Sequence, residues 1–238
     1  MKTYPMFAVL AGKDCLVVGG GAVGERKVAD LLAAGAQVTV VSPNITPGLA
    51  ARAARREIRH LAEDFTPRHL KGMALVLGAT DAPGVNAQVS AAAQALGVWV
   101  NIADAPELCT FIVPARVSRG DLTVAVSTGG ASPALARKLR EELETRFGPE
   151  YGPYLALLKR VRERLLALRR GHRDNPALFR RLVDSPLREA LGRGHRQEAV
   201  RLLQDILGPA LSPGEVAALV EEFFRDLEAP AVGPESGA

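Results

Sequence analysis

The sequence predicts an α/β fold: a doubly wound parallel sheet in the N-terminal half, then a small αβ segment, then an all-helical C-terminal domain. Three observations carry this. Short apolar runs alternate with helix-period stretches from Lys13 to Asp104, a hairpin-like pair of runs follows, and beyond Tyr151 only the helical period remains. The 238 residues suit one large domain or two small ones, at about 100 to 200 residues each. Apolar residues make up 47% and charged residues 24%, which is ordinary globular composition. No stretch approaches the ~20 unbroken apolar residues of a membrane helix, and the start MKTYPMFAVLAGKD lacks a signal-peptide pattern, so a cytoplasmic protein with no membrane partner is expected. Cys15 and Cys109 lie far apart without a CxxC, which speaks against a disulfide framework or a zinc site.

The elements follow in order. Asp14 to Val18 (DCLVV) suits a strand buried on both faces. GGGAVG then leads into a helix with Val28, Leu31 and Leu32 inward and Glu25, Arg26, Lys27 and Asp30 in water, ended by Gly35. Gln37 to Val41 is the second strand. The alternation continues with a helix at Pro47 to Arg56 and strands at Ile58 to Ala62 and Ala74 to Ala79. A helix at Gly84 to Leu96 then packs through Val85, Val89, Ala92 and Leu96, before a strand at Trp99 to Ile102. Phe111 to Val117 and Leu122 to Ser127 read as a hairpin around Ser118-Arg119-Gly120-Asp121. The next helix has Ser132 as N-cap, Pro133 at its first position and the stripe Leu135, Leu139, Leu143. Later stripes are Leu158, Val161, Leu165, Leu168; then Ala199, Leu202, Leu203, Ile206; then Val216, Leu219, Val220, Phe223, Leu227. The domains expected are 1–112, 113–149 and 150–228, with 229–238 a disordered tail.

Gly19, Gly21 and Gly24 fill a G-x-G-x-x-G pattern between a strand and a helix, the context in which it marks a dinucleotide-binding, Rossmann-type unit. The first glycine permits the tight turn, the second lets backbone approach a pyrophosphate, and the third lets helix and strand pack. The second strand ends in Ser42-Pro43-Asn44 without the acid that usually binds the adenosine ribose, which leaves NAD against NADP open. Arg52, Arg55 and Arg56 read as a solvated helix face, with proximity to a 2′-phosphate as the alternative. Asp104 follows the strand Trp99 to Ile102 at the carboxyl edge of the sheet, where ligands bind and a general base belongs; a turn-forming role is the competing reading. Asp81 reads as turn and cap. The run Ser127-Thr128-Gly129-Gly130-Ala131-Ser132 offers N–H groups and hydroxyls that suit a carboxylate, or a capped loop. His60, His69, His172 and His195 share no metal-ligand spacing, Cys109 has no histidine beside it and reads as a small buried residue, and Trp99 reads as packing on the sheet.

Tyr4-Pro5-Met6-Phe7, CLVVGGGAVGERKV (Cys15 to Val28), NIADAPELCTFIVPA (Asn101 to Ala115) and VAVSTGGASPALARKLREELE (Val124 to Glu144) together resemble the precorrin-2 dehydrogenases, found alone or as the N-terminal half of siroheme synthase. The resemblance runs in order from Tyr4 to Phe147. It implies an NAD-binding Rossmann domain and a dimerisation segment that serve the oxidation of precorrin-2 to sirohydrochlorin with NAD, and it fades across the helical region, whose length and charge are this protein's own. Some members also insert Fe(II), as ferrochelatases. By the same resemblance Asp104 is the catalytic acid–base residue. Gly19, Gly21, Ala22, Val23 and Gly24 form the phosphate turn, Pro43 and Asn44 line the adenosine side, and Thr80 joins the cofactor set. Ser127, with Thr128 and Gly129, belongs to the tetrapyrrole pocket, and the hairpin with its helix implies a homodimer. Between Lys159 and Arg201 the chain carries thirteen Lys or Arg against five Asp or Glu; this basic stretch suits a polycarboxylate substrate or a plain solvated face. A non-catalytic NAD(H)-sensing module is the alternative function. No helix-turn-helix or RNA-binding signature supports a nucleic-acid partner.

Overall fold

A computed structural model of the protein describes residues 2–167 and 175–229. Leu168 of the expected stripe, His172 and the expected tail beyond Ala229 lie outside the described residues. Clustering of contacts divides the chain into two compact units. The first runs to Pro114 and takes in Ser127–Pro133; the second holds Ala115–Val126 and the chain from Ala134 onward.

The first unit follows from strands that are apolar on both sides. β1 (Asp14–Val18), β2 (Gln37–Val41), β3 (Ile58–Leu61), β4 (Leu75–Gly78) and β5 (Trp99–Ile102) form one parallel sheet in the order β3-β2-β1-β4-β5. Alternation along β1 sends Cys15 and Val17 to one face, with α1 (Ala22–Ala33) and α2 (Pro47–Ala54), and Leu16 and Val18 to the other, with α3 (Pro83–Ala95). α1 stops in a Schellman turn: Gly35, at φ +75°, bonds back to Leu32 O and Ala36 to Leu31 O. The strand order and the helices on both faces match the expected doubly wound fold.

Three expectations shift. α3 buries Asn86, Val89, Ser90 and Ala93, while Leu96 is 58% exposed, so its inward face lies one residue round from the predicted stripe. The polar residues go inside because each has a partner: Asn86 bonds Thr80, and Ser90 Oγ donates to Leu108 O at 2.7 Å. Glu25 is half-buried rather than in water; Thr46 Oγ1 donates to its carboxylate at 2.6 Å and accepts from Leu49 N–H, capping α2. The hairpin strands are β6 (Ala115–Arg119) and β7 (Leu122–Val126) around Gly120-Asp121; β7 begins where expected, and β6 begins later than Phe111 because Thr110 and Phe111 bond instead along the free edge of β5.

In the second unit, α5 (Tyr151–Ala167), α6 (Asn175–Asp184), α7 (Leu187–Gly192), α8 (Arg196–Leu207) and α9 (Pro213–Glu228) enclose one apolar core around Leu157, Val161, Leu203, Leu219 and Phe223. α4 (Pro133–Arg146) is different: it has no buried residue, and Leu135 is 48% exposed. Four of the ten described cations of the basic stretch pair with acids outside its own sequence window. Arg160 meets Glu222 and Asp226, Arg164 meets Glu222, Arg188 meets Glu150, and Arg196 meets Glu221.

Candidate cofactor and catalytic site

Three glycines follow β1 and a fourth lies in the first turn of α1, and the space around each separates packing from binding. A Cβ at Gly19 (φ +114°) would lie 2.2 Å from Ala79 O, at Gly20 2.1 Å from Asn44 O, and at Gly24 2.2 Å from Gly19 O. These three exist so that the strand ends and α1 can close on one another. Gly21 is the exception, since a Cβ there meets nothing within 4 Å. Gly21 is the N-cap of α1, followed by exposed Ala22 and Val23, so first-turn N–H groups face open space at the positive end of a helix. That cradle fits a dinucleotide pyrophosphate. Gly20 carries a steric demand as strict as its neighbours, which the motif alone does not reveal.

The turn is tied to its neighbours. Gly19 N–H donates to Val41 O and Thr46 N–H to Gly20 O, each at 3.0 Å, and Ala79 N–H donates to Val18 O at 2.8 Å. The carboxyl ends of β1, β2 and β4 therefore meet at the glycines, with exposed Pro43 and Asn44 on the β2 side and half-buried Thr80 on the β4 side. Ser42 Oγ donates to Asn44 O at 2.7 Å, shaping the β2 turn. The Thr80 hydroxyl donates to Asn86 Oδ1 at 2.9 Å while Asn86 Nδ2 donates to Thr80 O at 2.9 Å, so this side chain is committed to its turn. Asn86 is a site-shaping residue that apolar periodicity overlooks; a polar pair four apart, Asn86 and Ser90, is the signal that was present. Arg52 and Arg55 pair with Glu57, where α2 hands over to the start of β3. That is the edge of the sheet opposite the glycine turn, which removes them from a 2′-phosphate position.

Asp104 stands two residues beyond β5, on the same carboxyl edge. It is exposed, its φ is +59°, and its carboxylate has no hydrogen-bond or ion-pair partner among the described residues. Ala103 N–H donates to Gly78 O at 2.8 Å, which fixes this turn to β4. Cys109 is half-buried rather than buried, and its sulfur engages the same turn. The loop Ser127–Pro133 clusters with this unit; Ser127 Oγ accepts from Gly129 N–H at 3.1 Å, and Thr128 Oγ1 accepts from Ser132 N–H at 3.2 Å. The three described histidines serve other ends. His69 Nδ1 accepts from Thr66 N–H and its Nε2 meets Glu63; His60 meets Ser42 O; His195 meets Glu198. No group of three or more metal-type side chains gathers among the described residues.

Comparison with known proteins agrees with this layout. A family model described as "Putative NAD(P)-binding" matches residues 6–115, and one described as "Sirohaem biosynthesis protein central" matches 119–146. The siroheme synthase of Methylobacillus flagellatus is 52% identical over 163 residues, 68% of this chain and 35% of that one. The siroheme synthase of Pseudomonas putida strain W619 is 43% identical over 218 residues, 91% of this chain and 47% of that one. The chain is thus similar to part of a siroheme synthase. A solved precorrin-2 dehydrogenase, SirC, superposes with a TM-score of 0.73 at 27% identity, over 86% of this chain and 98% of that chain. The chain spans about half or less of the length of the curated siroheme synthases it matches, and the whole length of the SirC chain. The segment matched as NAD(P)-binding holds both the open cradle at Gly21 and Asp104.

Proposed function

We propose that the protein is an NAD-dependent precorrin-2 dehydrogenase of siroheme biosynthesis. The observation that carries this is the open Gly21 cradle on β1 with an unpartnered Asp104 carboxylate two strands over on the same edge. Precorrin-2 loses two hydrogens, one as hydride and one as proton, to give sirohydrochlorin, NADH and a proton. Bound NAD supplies the hydride acceptor. The first-turn N–H groups of α1 hold the pyrophosphate, Pro43 and Asn44 border the adenosine, and the Thr80 turn shapes the β4 side. Asp104 takes the proton; exposed, it passes it on to solvent. NAD rather than NADP is supported by the absence of Lys or Arg from Ser42–Thr46 and by Arg52 and Arg55 lying at the opposite edge.

The substrate's carboxylates are assigned to the Ser127-Thr128-Gly129 loop. Fe(II) insertion into sirohydrochlorin, with Fe(II) as substrate, belongs to the same proposal. So does a homodimer through residues 113–149, supported by α4, which buries no residue. The test is an anaerobic assay with precorrin-2 and NAD. The macrocycle spectrum should change to that of sirohydrochlorin with one NADH formed per ring, and Fe(II) added afterwards should change it again. NAD binding without turnover would instead establish a sensing module.

A further inference from the structure

Asp104 occupies the left-handed region of backbone space at φ +59°, which Asp tolerates better than most side chains but which still favours glycine. The turn is held by backbone bonds, Ala103 N–H to Gly78 O at 2.8 Å and Ala105 N–H to Ile102 O at 3.4 Å, and by one sulfur atom. Ile102 N–H points to the free edge of the sheet and is buried with its residue, 2% exposed, so it needs an acceptor. Its acceptor is Cys109 Sγ, at 3.1 Å. The same sulfur lies 3.4 Å from Ile102 O and 3.3 Å from Ala105 O, two acceptors that share its single S–H. It thus touches the chain two residues before Asp104 and one residue after it. Outer stitches hold the cysteine in turn: Ser90 Oγ donates to Leu108 O at 2.7 Å, and Thr110 N–H donates to Val100 O at 2.8 Å.

We propose that Cys109 is a positioning residue that, through its sulfur, closes the Ile102–Ala105 turn and so sets the direction of the Asp104 carboxylate. The proposal rests on Asp104 being the base. It predicts that Cys109→Ala lowers kcat roughly 10- to 100-fold while KM for precorrin-2 and NAD affinity stay within about twofold, the cost of a misaimed group. Cys109→Ser, which keeps a donor and acceptor at that place, restores most of kcat. In the apo protein, the 13C shifts of Asp104 leave left-handed values in Cys109→Ala and return in Cys109→Ser. In an Asp104→Asn background, Cys109→Ala adds no further slowing, because it acts through the lost group. The proposal is overturned by wild-type kcat in Cys109→Ala, by a joint fall of kcat, NAD affinity and Tm, or by an equal extra slowing in the Asp104→Asn background. An inactive Asp104→Asn beside a fully active Cys109→Ala removes the Cys109 role alone, whereas an active Asp104→Asn removes the base assignment itself.

Discussion

At residue scale, the glycines of the turn make opposite demands, and substitution separates them. Gly21→Ala should fold with unchanged Tm, since its methyl enters open space, yet lower NAD affinity roughly tenfold, about 1.4 kcal/mol. Gly24→Ala should instead cost on the order of 1–3 kcal/mol of stability, because its methyl meets Gly19 O. Thermal melts with NAD titration distinguish the two; an unaffected affinity in Gly21→Ala would contradict the cradle. Cys15 gives a second residue-level expectation. Burial, then the Asp14 carboxylate, pushes its thiol from 9.0 up to about 11. The raised value means that its contribution to stability is complete below pH 9 and declines as pH climbs toward 11. Native protein at pH 8 should leave Cys15 unalkylated until urea unfolds it, as counted by mass spectrometry. The places of the motif glycines, Asp104 and Cys15 in the fold were legible in sequence because spacing and strand position define them. The sulfur contacts of Cys109 were not, since they depend on a fold-back seven residues long.

At element scale, apolar period located most segments of the described chain, and it failed where polar groups carry packing. α3 is the instructive case: Val85, Val89, Ala92 and Leu96 have the right spacing, but the buried Asn86 and Ser90 rotate the helix by one position because their hydrogen bonds hold the turns at Thr80 and Leu108. The hairpin began late for a related reason, since an edge strand needs covering and Cys109 to Phe111 cover it. Caps read more simply. Ser212 accepts from Glu215 N–H at 3.3 Å, and the Glu215 carboxylate accepts from Ser212 N–H at 2.8 Å, a capping box opening α9. Ser212→Ala should cost about 1 kcal/mol in a urea titration. The hydrogen bonds from Ser212 hold the Glu215 carboxyl below its ordinary value, so its support is present near neutrality and fades as acid protonates it. A loss from Glu215→Gln that stayed the same in acid would contradict this.

At the scale of the whole molecule, charge counted along a sequence misleads. The stretch from Lys159 to Arg201 is strongly basic, yet Glu150, Glu221, Glu222 and Asp226 fold back onto its arginines, so the surplus is smaller in space than in sequence. α4 makes the complementary point: its Leu135, Leu139 and Leu143 stripe was legible, and within one chain it buries none of them. Sedimentation should show a dimer at micromolar concentration, and Leu135→Glu should shift it toward monomer; a monomeric wild-type would contradict the role given to residues 113–149. Both families of function considered, catalyst and sensor, need the cradle, and only the catalyst needs the carboxylate. The most direct measurement is therefore precorrin-2 oxidation by Asp104→Asn under anaerobic conditions, with NAD affinity measured on the same sample. The account predicts unchanged NAD binding and a rate reduced roughly 100-fold or more, as for loss of an acid–base group; turnover at the wild-type rate would contradict it.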